Sequence, residues 1–415
     1  MKVNSFIKII EIIRKIGSNS YFLMKIYRKP SHLKIILSDL LKVNNKIYDD
    51  KDHLKAAMEW LCRAQDIANC GGVSGGYSFV KGWMPPYPET TGYIIPTFLQ
   101  YSLLNNDNSY IERAVKMGDW EIEIQLPSGA VRGGMGINEY SVIFNTGQVI
   151  LGWTSLYKET KLNRFLEAAT KAANWLLSVQ DDDGKWSKHT YKEIPHVYHT
   201  RVAWPLLNLY KLTNEDKYKI AAEKQIFWGL SHAKENAWFD LMGFTTNKTP
   251  LTHTIAYTLR GLIESSIYSE GKSKNIILNL VQKAAERIMM RYELRKKDLD
   301  SIPMHLPATL NEKWKSKDKY SCLTGNAQIA IIWLKMYKIS NDARFLNAAL
   351  KIIDQVKASQ SLDSKNLGIR GGIAGSYPIW GKYDRFTYQN WSTKFLADSI
   401  MLQESTMREM EENRN

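Results

Sequence analysis

Two histidines stand in similar settings along the chain. His199 lies in Tyr198–His199–Thr200–Arg201, and His253 lies in Thr252–His253–Thr254 with Tyr257 four residues on. Residues four apart share one face of a helix, so His253 and Tyr257 would act from the same side. Imidazole titrates near neutrality and serves as general base or acid. Glu89, in Tyr87–Pro88–Glu89–Thr90–Thr91, adds a carboxylate with Tyr93 close by. Arg132–Gly133–Gly134 and Arg370–Gly371–Gly372 add two guanidinium forks. Such a fork donates two parallel hydrogen bonds to a carboxylate or phosphate, and the glycines let backbone approach a ligand. A base, an acid and a cation cluster are what proton removal beside a sugar carboxylate requires. His199, His253, Tyr257 and Glu89 form the predicted catalytic set, with Arg132 and Arg370 on the carboxylate.

Further polar and aromatic residues stand at or just before the starts of predicted helices. Arg201, Glu139, Tyr140, Asn326, Tyr377 and Asn390 are predicted binding residues, and Tyr93 and Trp391 would border a sugar ring. Each has a plainer reading. A lone His is usually a core residue, Glu89 suits the positive end of a helix dipole, and Asn or Thr caps helix ends. The Arg–Gly–Gly segments would serve equally as turns bonded to loop carbonyls.

A repeat positions these residues. Tyr93, Gly147, Thr200, Thr254, Gly325 and Trp391 open six apolar helices, in steps of 54, 53, 54, 71 and 66 residues. An amphipathic helix precedes each. Three of these carry Trp-x4-Gln near their ends: Trp60/Gln65, Trp120/Gln125 and Trp175/Gln180. One hairpin cannot bury its own apolar face, so a period of this size implies stacked hairpins. Six hairpins in a ring predict an all-α (α/α)6 toroid, with the apolar helices inside and their starts around a central cavity. The predicted organisation is an extension over 1–50, the toroid over 51–404 and a polar tail over 405–415. Asn108, Asn163, Asn214 and Asn341 are expected as N-caps of outer helices. The insertion 296–319 is expected as a lid or a surface elaboration.

The net charge of +14 is uneven. Residues 1–46 hold ten Lys/Arg against Glu11 and Asp39. The extension reads as basic amphipathic helix rather than signal peptide, because Lys8, Glu11, Arg14 and Lys15 interrupt its apolar run. It points to the inner face of an anionic membrane, or to helices packed on the toroid with their lysines in water. No apolar run reaches the ~18 residues of a spanning helix. Three cysteines without a CxxC spacing suit a reducing, cytoplasmic setting. The chain has no P-loop, GxGxxG, HExxH or GxSxG, and no metal or cofactor is expected. Nucleic-acid binding is set aside, since only the extension is strongly basic.

Gln180-x3-Gly184-x-Trp186 resembles the QW motif of squalene-cyclase and prenyltransferase toroids. The Asp181–Asp183 run does not match the cyclase acid motif and reads as a solvated turn. NTGQVILGW (145–153) is similar to a Gly-Gln helix start of D-glucuronyl C5-epimerases, and YPETTGY adds Tyr near the first inner helix. On that footing residues 53–402 resemble the six-hairpin glycosidase superfamily, the epimerase helical domain and toroidal polysaccharide lyases. The resemblance implies a carbohydrate-active enzyme for a uronic-acid-containing oligo- or polysaccharide. An anionic oligo- or polysaccharide of bacterial surface-polysaccharide synthesis, either a sugar chain or a lipid-linked oligosaccharide, is the expected partner, and C5 epimerisation or elimination the expected reaction. The alternatives are a glycoside hydrolase using Glu89 and Glu139, and a non-catalytic glycan-binding toroid.

Overall fold

A computed structural model describes residues 29–295 and 305–413. Among the described residues, helix α1 (Pro30–Leu41) is followed by twelve α-helices that alternate between an outer and an inner ring. The outer helices are α2 (Asp50–Ala68), α4 (Ser109–Glu123), α6 (Asn163–Ser178), α8 (Asp216–Ser231), α10 (Gly271–Arg295) and α12 (Ala343–Ser359). The inner helices are α3 (Pro88–Asn105), α5 (Ile143–Thr160), α7 (Thr200–Thr213), α9 (Thr252–Ser266), α11 (Leu323–Ser340) and α13 (Asn390–Glu412).

Residue pattern explains the two rings. The outer helix α6 buries Phe165, Ala168, Ala169, Ala172, Ala173 and Leu176, a stripe at i, i+3 and i+4 spacing. The inner helix α5 is buried without a break from Ile143 to Thr154. Helices apolar on all sides belong in a core. Each inner helix packs on the next, and α13 packs on α3, which closes the ring.

A glutamine stitches the outer ring together. Gln125 Nε2 donates to Gly129 O in its own turn (2.8 Å) and to Ala168 O of α6 (3.2 Å). Gln180 does the same to Gly184 O (2.7 Å) and Ala221 O of α8 (2.9 Å). Gln65 reaches Gly71 O and Arg113 O of α4 (3.0 Å each). Gln360 reaches Gly371 O (2.7 Å) and His53 O of α2 (3.3 Å), so the last outer helix is sewn to the first. The glycines have φ between 86° and 97°, and a Cβ on Gly371 would lie 2.1 Å from Ala56 O. This corrects the pairing of the two Arg–Gly–Gly segments. Gly371 is the counterpart of Gly129, not of Gly133, so Arg132 and Arg370 are not equivalent. Gln360→Ala strands two buried carbonyls and His53 Nδ1, which lies 2.6 Å from Gln360 Oε1. It is expected to cost about 2–3 kcal/mol in urea unfolding, and Gln180→Ala, which is less buried, about 1–2 kcal/mol.

Asn214 and Asn341 do not start helices. They end the inner helices α7 and α11 with φ of 58° and 56°. Asn tolerates this left-handed conformation better than most residues. Asn108 precedes α4 without a side-chain cap bond, and Asn163 is the first residue of α6. The expected polar tail is also helical, because α13 runs to Glu412 with Thr406 buried.

The outer-to-inner loops are long and gather at one end of the barrel, where they form small sheets. Strands β1 (Gly76–Ser78), β2 (Gly82–Trp83), β4 (Ile373–Ala374) and β6 (Thr387–Gln389) pair in the order β2-β1-β6-β4. The pairing of β1 with β6 ties the first loop to the sixth. β3 (Ser321–Cys322) pairs with β5 (Ser376–Tyr377). Part of the 296–319 insertion lies outside the described residues. The rest packs beside the start of α9, with Ala308 O accepting from Thr252 N (2.8 Å).

The predicted extension lies largely outside the described residues, but α1 packs on the loops at the sheet end. His32 stacks on Phe79 at 3.9 Å. Asp39 Oδ2 accepts from the amide of Ile379 (2.7 Å). Burial raises the Asp39 carboxyl to about 7, more strongly than that hydrogen bond lowers it.

Candidate active site

The inner helices all run away from the loop end, so their N-termini converge there. Each contributes a partial positive charge. Between them lies a cavity of about 600 Å³. Its walls are aromatic: Tyr87, Tyr93, Tyr140, Phe144, Tyr191, Tyr198, Phe244, Tyr257, Tyr383 and Trp391. Its titratable groups include Glu89, His253 and Asp384, with His189, Lys192 and Glu193 among the lining residues from the loop before α7. His189, Lys192 and Glu193 hold φ of 57°, 63° and 53°, left-handed values that side chains of these types seldom adopt.

Glu89 is in the first turn of α3, where Pro88 presets the helix start. The Tyr87 hydroxyl donates to Glu89 Oε2 at 2.6 Å. Burial raises the Glu89 carboxyl to about 7, against the lowering effects of Tyr87 and of the Arg201 charge. A carboxyl poised there exchanges protons readily at neutral pH.

His253 is in the first turn of α9. Its Nδ1 meets the Tyr383 hydroxyl at 2.7 Å, and Trp391 Nε1 donates to the same hydroxyl at 2.9 Å. The indole can only donate, so it occupies a lone pair of the Tyr383 oxygen. Among the described residues Nδ1 is the acceptor within reach of the phenol proton, so we assign the Tyr383 hydroxyl as the donor of that bond. That assignment puts the His253 proton on Nε2, which is buried and has no partner among the described residues. Burial, helped by Arg201, pushes His253 down to about 3. The ring is therefore neutral and offers an N–H donor to a ligand. Tyr257 stacks edge-on against His253 at 4.5 Å, and its hydroxyl adjoins that of Tyr93.

Beneath this floor Arg201 is buried, with Nε donating to Gln148 Oε1 at 2.9 Å. Its guanidinium lies 4.9 Å from the Tyr257 ring centre and 5.9 Å from that of Tyr93. Lys394, paired with Asp398, lies below Tyr93, and burial lowers it to about 8. Thr97 donates to the same Asp398 at 2.7 Å.

Glu89, Tyr93, Tyr140, His253, Tyr257 and Trp391 thus share the cavity, and Arg201 sits under it. The other predicted residues do not line it. His199 ends a 3-10 turn (Val197–His199) that places Tyr198 in the wall instead. His199 is enclosed by Trp186, Phe144, His196 and Tyr198, and burial keeps it neutral. Arg132 spends its fork on Ile124 O (2.6 Å), Asn138 O (2.9 Å) and Glu139 (2.6 Å), and Glu139 is exposed. Arg370 lies near Arg63 of α2. Asn326 bonds His305, Tyr377 packs on His305, and Asn390 Nδ2 holds Ser74 O and Thr90 Oγ1. Neither guanidinium expected over a carboxylate lines the cavity: the Arg132 fork fastens its own loop, and Arg370 offers its backbone carbonyl to Arg63.

Tyr383 and Asp384 come from the 375–387 loop, which carries no periodic signal. Ser376 Oγ donates to Tyr383 O at 2.6 Å, and Gln389 Nε2 donates to Asp384. Ile379 anchors the same loop, accepting from Phe386 N (2.9 Å) while donating to Asp39. Asp39→Ala is expected to speed amide exchange across 378–386 by about tenfold and leave α5 unchanged, whereas Asp39→Asn retains an acceptor and normal protection. Hydrogen-exchange mass spectrometry measures both.

Six helical hairpins closed around one loop-end cavity define an (α/α)6 toroid, and this chain has that fold. No protein-family model matches it, and no curated protein sequence does. Among solved structures it is similar to a sugar epimerase from a ruminal bacterium, with TM-score 0.67 and 11% identity over 86% of this chain and 98% of that one. An unsaturated glucuronyl hydrolase specific for heparin gives TM-score 0.67 and 14% identity, covering 86% and 98%. A cellobiose 2-epimerase from Spirochaeta thermophila gives 0.65 and 13%, covering 85% and 95%. No described helix is long and apolar enough to cross a membrane.

Proposed function

We propose that the protein is a carbohydrate-active enzyme that moves a proton at a sugar carbon next to a carbonyl or carboxyl group. The observation that carries this reading is the pairing of Glu89 and His253 in one aromatic cavity. Glu89, with a carboxyl near 7, is the base that takes the proton. His253 Nε2–H donates to the oxygen on which negative charge develops, and its neutrality keeps that proton in place. The aromatic walls stack on the C–H faces of the sugar. Arg201 beneath the floor favours the anionic intermediate electrostatically. Delivery of a solvent-derived proton to the opposite face, with Glu89 releasing its proton to water, gives an epimer, and loss of a leaving group instead gives an unsaturated sugar. The structural neighbours include proteins named as epimerases, which supports the same class. Incubation with candidate aldoses and uronic-acid oligosaccharides in deuterated water tests it: deuterium is expected at the epimerised carbon. Turnover without deuterium uptake rejects the reading.

Asp384 favours one alternative. It lines the cavity with Glu89, its carboxyl raised by burial, and so replaces Glu139 as the second carboxylate of a glycoside hydrolase. Release of new reducing ends, with no deuterium in the sugar ring, selects that chemistry.

A further inference from the structure

We infer that the outer face of α1 and the segment following it form a docking surface for an anionic lipid bilayer. The inner face of α1 is already occupied. His32, Ile35 and Ile36 are buried, Asp39 holds the Ile379 amide, and Asn366 Nδ2 donates to Ser31 Oγ at 3.1 Å. The outer face is apolar and uncovered: Leu37, Leu41, Val43, Ile47 and Tyr48 are 37–58% exposed. Leu37 and Leu41 are four apart and lie one above the other.

Lys34, Lys42 and Lys46 are interleaved with these residues, are exposed, and form no ion pair among the described residues. Lys46 Nζ lies 4.7 Å from the Tyr48 ring centre. Apolar side chains among lysines match the interface of an anionic membrane, where lysine stems lie along the acyl boundary and the ammonium groups reach the headgroups. Ten Lys/Arg against two acids over 1–46 extend the same charge. A second copy of this face would instead set like charges against each other. Charge complementarity therefore selects the bilayer over self-association.

The placement adds a consequence. Asp39, Ser31 and His32 fasten α1 to the first and sixth outer-to-inner loops, which lie at the cavity end of the barrel. The bilayer would hold that end close to the surface, within reach of a sugar attached to lipid. The docking itself does not depend on the proposed reaction.

Flotation of the full chain with vesicles tests it. Vesicles of phosphatidylcholine with added phosphatidylglycerol are expected to carry the protein up at low salt. Phosphatidylcholine alone, or high salt, is expected to weaken binding by about tenfold or more. The Leu37→Ser/Leu41→Ser/Val43→Ser variant and the Lys34→Glu/Lys42→Glu/Lys46→Glu variant are each expected to lose binding with an unchanged far-UV CD spectrum and melting temperature. Undiminished binding by either folded variant would place the contact elsewhere and overturn the inference. So would absence of wild-type binding. A concentration-dependent dimer in light scattering that the serine variant abolishes overturns it in favour of a copy-to-copy interface.

Discussion

Glu89→Gln is expected to lower kcat by about 10³-fold while leaving sugar affinity within a few-fold, because a positioned acid–base group supplies about 10²–10⁴ in rate. The amide keeps the shape and loses the proton chemistry. Wild-type kcat is expected to rise with pH through about 7, as Glu89 deprotonates and becomes a competent base. In the Gln variant that rise disappears from the residual activity. A falling limb at the same position would make Glu89 an acid and favour hydrolysis.

The same substitution changes stability in a defined direction. The folded-state carboxyl sits at about 7 rather than 4.5, so the native protein holds a proton that the unfolded chain releases. Stability is therefore lost as pH rises from about 4.5 to about 7, by roughly 3 kcal/mol for this group. Asp39, also raised to about 7, adds a loss of the same sign. Glu89→Gln removes the first of these. Denaturant titrations at pH 5 and pH 8 are expected to show little change at pH 5 and a gain at pH 8.

His253→Ala is expected to reduce kcat by about 10²–10³-fold, the typical effect of deleting one donor to a developing oxyanion. The pH dependence set by Glu89 should persist, because His253 stays neutral throughout that range. Tyr383→Phe removes the partner that holds the proton on Nε2, and a loss of about tenfold is expected with the protein still folded. An indirect detector of the tautomer is the ¹⁵N shift of the His253 ring, which should move in Tyr383→Phe and stay in place in Glu89→Gln. Unchanged kcat in His253→Ala would remove the imidazole from the mechanism.

These effects fall on residues that were unequally visible in the sequence. Glu89, Tyr93, His253, Tyr257 and Trp391 are in the early turns of inner helices, and the repeat that defines those helices put them at the cavity. His199 occupies a matching place in the repeat, yet the turn before α7 is 3-10. Its tighter winding swings adjacent side chains to different sides, so Tyr198 takes the wall and His199 the aromatic core. Tyr383 and Asp384 lie in a loop without periodicity, and the pairings of β1 with β6 and of β3 with β5, together with the Ile379 anchor, bring that loop over the cavity.

The Arg–Gly–Gly segments show the same division. Their spelling is alike, but partners decide their roles. Gly371 abuts Ala56 O, while Arg132 is consumed by Ile124 O, Asn138 O and Glu139. The cation beneath the Tyr93–Tyr257 floor is Arg201, whose surroundings of Tyr93, Tyr257 and Phe395 come from three other inner helices.

Taken alone, the sequence determined the helices, their alternation between amphipathic and wholly apolar, and the glutamine at the end of four outer helices. These depend on spacing along the chain, which periodicity records directly. The tertiary structure alone decided which polar side chains share the cavity, which carboxyl is raised and which histidine has an open nitrogen. Those properties depend on burial and on partners hundreds of residues away, and neither is written in local spacing.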